Sequence, residues 1–155
     1  MITLQIEKPN KPQIADLIRQ SDKYLKSLYP PECNYLMGVS TLLHPDIKFL
    51  TARDGQKYVG CGVLRVVNGQ YGEIKRMFVL PSERGEGTGY KILAELQNIA
   101  LQLDLNILRL ETGINQPEAI KLYEKFGFHK ISVFGEYKPN GVSLFYEKRI
   151  VVESG

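Results

Sequence analysis

Few of the patterns that mark a metal site, an export route or a nucleic-acid partner occur in this chain of 155 residues. The two cysteines, Cys33 and Cys61, stand far apart, without the spacing of a metal centre or a redox pair. No run is long and apolar enough for a membrane helix. The start, Met1 to Glu7, lacks the charged opening and apolar stretch of a secretion signal. These absences predict a reduced, cytoplasmic protein without membrane contact or resident metal. Charge of neither sign dominates: 20 Lys and Arg against 17 Asp and Glu leave a net +3, and the basic residues are scattered. That is a solvated surface, not a nucleic-acid footprint. Repeats, low-complexity segments and linkers are also missing. With 43% hydrophobic and 24% charged residues, the chain is predicted to form one soluble domain over residues 1–155 with its own core.

Two familiar phosphate-binding patterns are absent as well. The dinucleotide fingerprint beginning at Gly85 would need glycine where Tyr90 stands, and the P-loop would need a Gly-Lys-hydroxyl run where the chain reads Tyr90-Lys91-Ile92. What is present is an apolar strand, Glu73 to Leu80, stopped by Pro81. A polar loop follows, with glycine at alternate positions, Gly85, Gly87 and Gly89, and leads into an amphipathic helix. Glycines allow backbone N–H groups to approach a ligand, and a helix start adds the positive end of its dipole. The stretch therefore predicts a cradle for a phosphate or diphosphate.

The remaining elements follow in order. Ile2 to Glu7 alternates as a half-buried strand, and Lys11 to Leu28 has helical spacing with Asn10 as its expected cap. Tyr29-Pro30-Pro31-Glu32 ends that helix, and a second short one is expected around Asn34 to Leu43. Strands Ile47 to Arg53 and Tyr58 to Val67 are each closed by a hairpin dipeptide, Asp54-Gly55 and Asn68-Gly69, which makes Glu73 to Leu80 the third strand of a meander. Gly60 and Gly62 mark a bulge, a close approach or plain strand packing. The helix after the glycine loop carries a stripe of Ile92, Leu93, Leu96, Ile99, Ala100 and Leu103. Its crossover makes Ile107 to Thr112 parallel to the preceding strand. Pro117 opens a last helix that Gly127 ends. Phe128 to Val133 and Val142 to Lys148 close the sheet around a loop from Phe134 to Gly141.

The order β-α-α-β-β-β-α-β-α-β-β does not alternate as a doubly wound fold does. Together with Arg84-x-x-Gly87-x-Gly89, it resembles the GCN5-related N-acetyltransferase superfamily, whose coenzyme loop reads [Gln/Arg]-x-x-Gly-x-[Gly/Ala]. The segment Asn115, Ala119 and Leu122-Tyr123-Glu124-Lys125-Phe126-Gly127-Phe128 is similar to that superfamily's second signature. The resemblance covers nearly the whole chain and implies an α/β (α+β) fold with a mixed, mostly antiparallel sheet of about seven strands and about four helices.

It further implies an acetyl-CoA-dependent N-acetyltransferase of bacterial type, acting directly on an amine of a small molecule or peptide. A coenzyme A sensor that has lost catalysis is the alternative. Pantetheine is expected on the backbone of Met77, Phe78 and Val79, and the diphosphate on Arg84, Gly85, Glu86, Gly87, Thr88, Gly89 and Tyr90. Read as a sequence, Tyr123 is an aromatic on an amphipathic helix; the resemblance makes it the general acid and a contact at the thioester. Glu73, four residues before Met77 and expected on the same strand face, is the candidate base; otherwise it is a strand-end carboxylate paired with Lys75 or Arg76. Glu111 is the second candidate base. Asn115 is a coenzyme contact or a helix cap. Tyr29, Glu32, Glu136 and Tyr137 flank the expected acceptor end. His44 and His129 read as structural or solvated, and both cysteines as small apolar groups. Val142 to Arg149 is apolar enough to pair with a second copy in a homodimer.

Overall fold

The computed structural model describes residues 1–29 and 39–151. Its strands are β1 (Ile2–Ile6), β2 (Ile47–Asp54), β3 (Lys57–Val67), β4 (Tyr71–Val79), β5 (Ile107–Gly113), β6 (His129–Ile131) and β7 (Ser143–Arg149). The helices are α1 (Pro12–Leu28), the single turn α2 (Val39–Leu42), α3 (Thr88–Gln102) and α4 (Pro117–Phe126). The element order matches the expected one, as do most boundaries. Of the second helix expected at Asn34 to Leu43, Val39–Leu42 is helical and residues 34–38 lie outside the described residues, as do Glu32 and Cys33. Among the described residues no helix is long and apolar enough to cross a membrane.

The seven strands form one sheet in the order β1-β2-β3-β4-β5-β7-β6. All neighbours are antiparallel except β4 and β5, which the α3 crossover makes parallel. At the β3–β4 hairpin both Asn68 and Gly69 have positive φ (53° and 66°), as that tight turn requires. Strand β7 lies between β5 and β6, so its backbone is paired on both sides. This corrects the expectation that the last strand is free to pair with a second copy, since the sheet's open edges are β1 and β6.

Two apolar layers cover the sheet. Ile14, Leu17 and Ile18 of α1 pack on Phe49, Cys61, Val63 and Phe78, whereas Ile92, Leu93, Leu96 and Ala100 of α3 pack with Tyr123 and Phe126 of α4 on the opposite face. Each such fully buried aliphatic side chain contributes about 1.5–3 kcal/mol. Bulk is kept off the middle of β3 for α3 to settle there. A Cβ on Gly62 would lie 2.7 Å from Ile92 Cγ2, and one on Gly60 would lie 2.9 Å from the Phe78 carbonyl oxygen. The stripes end sooner than their periodicity suggested, because Ile6 and Leu103 are exposed. Helix α1 begins after Lys11 rather than Asn10 and has no side-chain cap, Pro12 in its first turn having no N–H to satisfy.

One irregularity in β4 sets which side chains face the site. Cys61 pairs with Phe78 but Val63 pairs with Lys75, so β4 carries one residue more than β3, and Arg76 takes a positive φ of 53°. A bulge of this kind bends its strand and reverses the alternation of side chains beyond it. Ile74 and Met77 consequently both pack toward α3. Glu73 and Lys75 lie on the α1 face, where the bulged Arg76 reaches Asp22 of α1. Glu73 and Met77 therefore do not share a face, contrary to the simple count of four residues.

Candidate active site

Strands β4 and β5 are paired only where Gly72–Ile74 meets Leu108–Leu110. Past that point β4 bends at its bulge, and a cleft of about 850 Å³ opens, floored by Met77, Phe78 and Val79 and walled by Gln116 to Ala119, Leu122 and Tyr123. Backbone freed from a sheet ladder inside a cleft needs a hydrogen-bonding occupant. At the far end the cleft meets the glycine loop. Gly85 and Gly87 have φ of +87° and +80°, and a Cβ on either would meet nothing within 4 Å, so their backbone faces open space. Gly87 is the N-cap of α3, whose first turn carries no acidic residue. Gly89 instead lets α4 close in, a Cβ there lying 2.9 Å from Leu122 Cδ2. The cradle thus presents unpaired helix-start amides and a favourable dipole to an anion.

A second, smaller chamber of about 80 Å³ lies at the other end of the cleft, lined among others by Tyr29, Lys75, Arg76, Glu111, Tyr137 and Ser143. Met77, Gln116 and Tyr123 border both chambers, so Tyr123 stands where the two meet. Its phenol is held far above the usual range, first by burial and then by the charge of Glu111. Glu111, on β5, accepts a 2.6 Å hydrogen bond from Ser143 Oγ of β7. Its carboxyl is raised above the ordinary value by burial and by Glu73, against that hydrogen bond and Lys75. Tyr29 reaches across from the end of α1. Its hydroxyl donates to Gln116 Oε1 (3.3 Å) and accepts from the Asn115 amide (3.2 Å), lying so close over Gly113 that no Cβ fits there.

Several expected roles change in the folded chain. Glu73 is 2% exposed on the side away from Met77. It accepts a 2.5 Å hydrogen bond from Tyr137 and pairs with Arg65 and Lys75 at 3.4 Å. It lines neither chamber and is a buried anchor for Tyr137 and Lys75. Arg84 lines the cleft, but its Nε donates to the Val79 carbonyl (2.9 Å) and its guanidinium lies over Tyr24 at 5.0 Å, bracing the end of β4. Glu86 is exposed and borders neither chamber. Asn115 also lies outside the cleft and does not cap α4; its side chain donates to the Leu28 carbonyl (3.4 Å), and Gln116 is the N-cap. Glu136 is exposed, while its neighbour Tyr137 lines the small chamber.

Cys61 is buried, its thiol pushed up to about 12 by burial, which leaves it protonated and inert. His44 is exposed and accepts from the Asp46 amide, and His129 is exposed near Glu147. The sequence reading missed Gln116, Ser143, Lys75 and Arg76. Of these, only Gln116 had a local signal, its place one residue before Pro117.

Residues 9–128 match the model of the acetyltransferase (GNAT) family. An IAA acetyltransferase of Azospirillum brasilense is 43% identical over 148 residues, 95% of this chain and 97% of that protein. The uncharacterized N-acetyltransferase YsnE of Bacillus subtilis is 31% identical over 140 residues, 89% of this chain and 93% of its own. Among solved structures, a Klebsiella pneumoniae protein assigned as an acyl-CoA N-acyltransferase superposes with a TM-score of 0.82 at 33% identity, covering 97% of this chain and 99% of that one. The PaiA N-acetyltransferase of Thermoplasma acidophilum, in complex with coenzyme A, shares the fold at a TM-score of 0.74 and 17% identity, over 96% and 99% of the two chains.

Proposed function

This chain belongs to the acetyltransferase (GNAT) family and is an acetyl-CoA-dependent N-acetyltransferase; from that premise we propose how its two chambers divide the reaction. The large cleft is the donor site. Its diphosphate end is the amide cradle from Gly85 to Tyr90, helped by the Lys91 and Lys125 side chains at its rim, and its arm lies along the freed edge of Met77 and Phe78. Arg84 acts from beneath, by holding Val79 in place. The small chamber receives the amine. The observation that carries this division is Tyr123, among the described residues the one titratable side chain that borders both chambers.

Acetyl-CoA supplies the acetyl group as an activated thioester. The residues of this chain then have three proton transfers to make. Glu111, whose carboxyl is raised by burial, takes the proton of the acceptor ammonium and leaves a nucleophilic amine in the small chamber. As the new C–N bond forms and the C–S bond breaks, Tyr123 gives its hydroxyl proton to the departing sulfur and its phenolate recovers one from the new nitrogen, which leaves a neutral amide, a free thiol and an unchanged phenol, and Glu111 returns its proton to solvent. Burial keeps the phenol protonated, so the proton is present when the sulfur departs. Glu73 serves as a positioning residue through Tyr137 and Lys75. Transfer is direct, and among the described residues Cys61, sealed in the α1 core and kept protonated, offers no thiol for a covalent intermediate. A silent coenzyme sensor would have no use for a buried carboxylate and a phenol lining the same small chamber.

The test is a thiol-release assay with acetyl-CoA against a broad amine panel, run beside calorimetry with coenzyme A. Binding with turnover is expected. Absence of coenzyme binding would overturn the donor-site assignment.

A further inference from the structure

Resting on that acetyl-transfer reading, we infer that the acceptor is an amine carrying a carboxylate on the neighbouring carbon, a free α-amino acid, with its amine at Glu111 and its carboxylate at Lys75 and Arg76. The β4 bulge creates the arrangement. In a regular strand consecutive side chains point to opposite faces, and Lys75 and Arg76 would part. The positive φ at Arg76 turns both toward α1, and both line the small chamber, with Glu111 and Ser143 also in its wall. The chamber therefore has cations contributed by β4 and an anion contributed by β5.

The cationic side carries an excess. Glu73 is one carboxylate shared at 3.4 Å between Arg65, which is half exposed and outside the chamber, and the nearly buried Lys75, so Lys75 is only partly neutralised, whereas Arg76 is matched by Asp22 at 2.7 Å. The Lys75 side chain is only 12% exposed, so water screens it weakly and its field reaches the chamber, while Arg76, 4% exposed, adds its guanidinium to the same wall. A ligand with two amines would bring its second ammonium against this wall, which like charges disfavour. A peptide N-terminus would bring a neutral amide where a carboxylate is wanted. A zwitterion complements both walls, and a volume of about 80 Å³ suits its small polar head. Leu25 and Val142, in the same lining, are left for an aliphatic side chain.

The experiment compares kcat/KM for matched trios: alanine, alaninamide and ethylamine; leucine, leucinamide and isopentylamine; phenylalanine, phenylalaninamide and phenethylamine. Within at least one trio the free acid is expected to exceed both relatives by at least about tenfold, the scale of one charge-assisted contact. In Lys75→Gln that ratio falls toward one, and in Lys75→Arg most of it remains. The ratio reports selectivity, so a general loss of activity does not imitate it, and the wild-type comparison decides even if a variant folds poorly. The inference is overturned if amides or simple amines are acetylated as well as the acids. It also falls if acetyl-CoA binds and no amino acid is turned over. If acetyl-CoA does not bind at all, the donor-site reading has failed instead.

Discussion

The two chambers that meet at Tyr123 are built in opposite ways. The large cleft is made mainly of consecutive residues: the end of β4, the loop after Glu83 with the first turn of α3, and one side of α4. The small chamber joins short runs of β4 (Ile74–Met77) and β5 (Glu111–Gly113) to single residues from α1, α4, the β6–β7 loop and β7. A wall made of contiguous backbone can recognise a ligand through main-chain groups that every residue type offers, so its demands on sequence are for glycine and for a helix start. A wall assembled from separate elements recognises its ligand through side chains, and its specificity depends on how those elements pack. The donor side should therefore fail through backbone changes and the acceptor side through side-chain chemistry.

The largest expected effect breaks the donor side alone. Gly87→Glu puts a carboxylate into the cradle at a φ of +80°, where a side chain is strained. Calorimetry should show coenzyme A affinity falling by roughly 100-fold or more, about 3 kcal/mol. The loss of folding stability should be smaller, about 1 kcal/mol. Next comes the junction. Tyr123→Phe should lower kcat by roughly 10²-fold, the ordinary worth of one general acid, while the dissociation constant for acetyl-CoA hardly moves. Equal turnover in the variant would remove Tyr123 from the mechanism.

A third measurement sharpens the acceptor side. Glu111→Gln should lose about 10²-fold in kcat/KM together with the acid limb of its pH profile, and Glu73→Gln, away from both chambers, should keep that limb. Stability should move in the opposite direction. The Glu111 carboxyl is raised in the fold, so its ionised form is disfavoured there; the wild type is unpenalised below the unfolded value near 4.5 and loses stability as pH rises through the folded value. Glu111→Gln should therefore melt higher than wild type at neutral pH, and the gap should close on acidification. The smallest effect expected is that of Tyr29→Phe. Removing the hydroxyl deprives the Asn115 amide of an acceptor and Gln116 of a donor. Thermal melts should report about 1–2 kcal/mol lost, and acceptor KM should rise more than that for acetyl-CoA.

Legibility in the sequence divides along the same line. Gly85, Gly87, Asn68-Gly69 and Gly127 were informative because each meets a dihedral demand set by its own neighbours. Tyr123 was found through its place in a contiguous signature beside Ala119 and Leu122. Glu73 and Met77 were misplaced relative to one another because an inserted residue at Arg76 leaves no mark in hydrophobic alternation. Arg84 was read as a ligand contact because a sequence does not show that the Val79 carbonyl lies 2.9 Å from its Nε. The free-edge reading of the last strand failed because chain order does not disclose that β7 inserts between β5 and β6.

The amino-acid sequence by itself determined the order of strands and helices, the cradle before α3 and the family, because periodicity, turn dihedrals and helix starts are local properties. The tertiary structure alone decided that Lys75 and Arg76 share a face, that Glu111 meets Ser143 and that Tyr29 closes over Gly113. Those contacts join residues distant along the chain, and they depend on a bulge and a strand crossing that exist only once the sheet has closed.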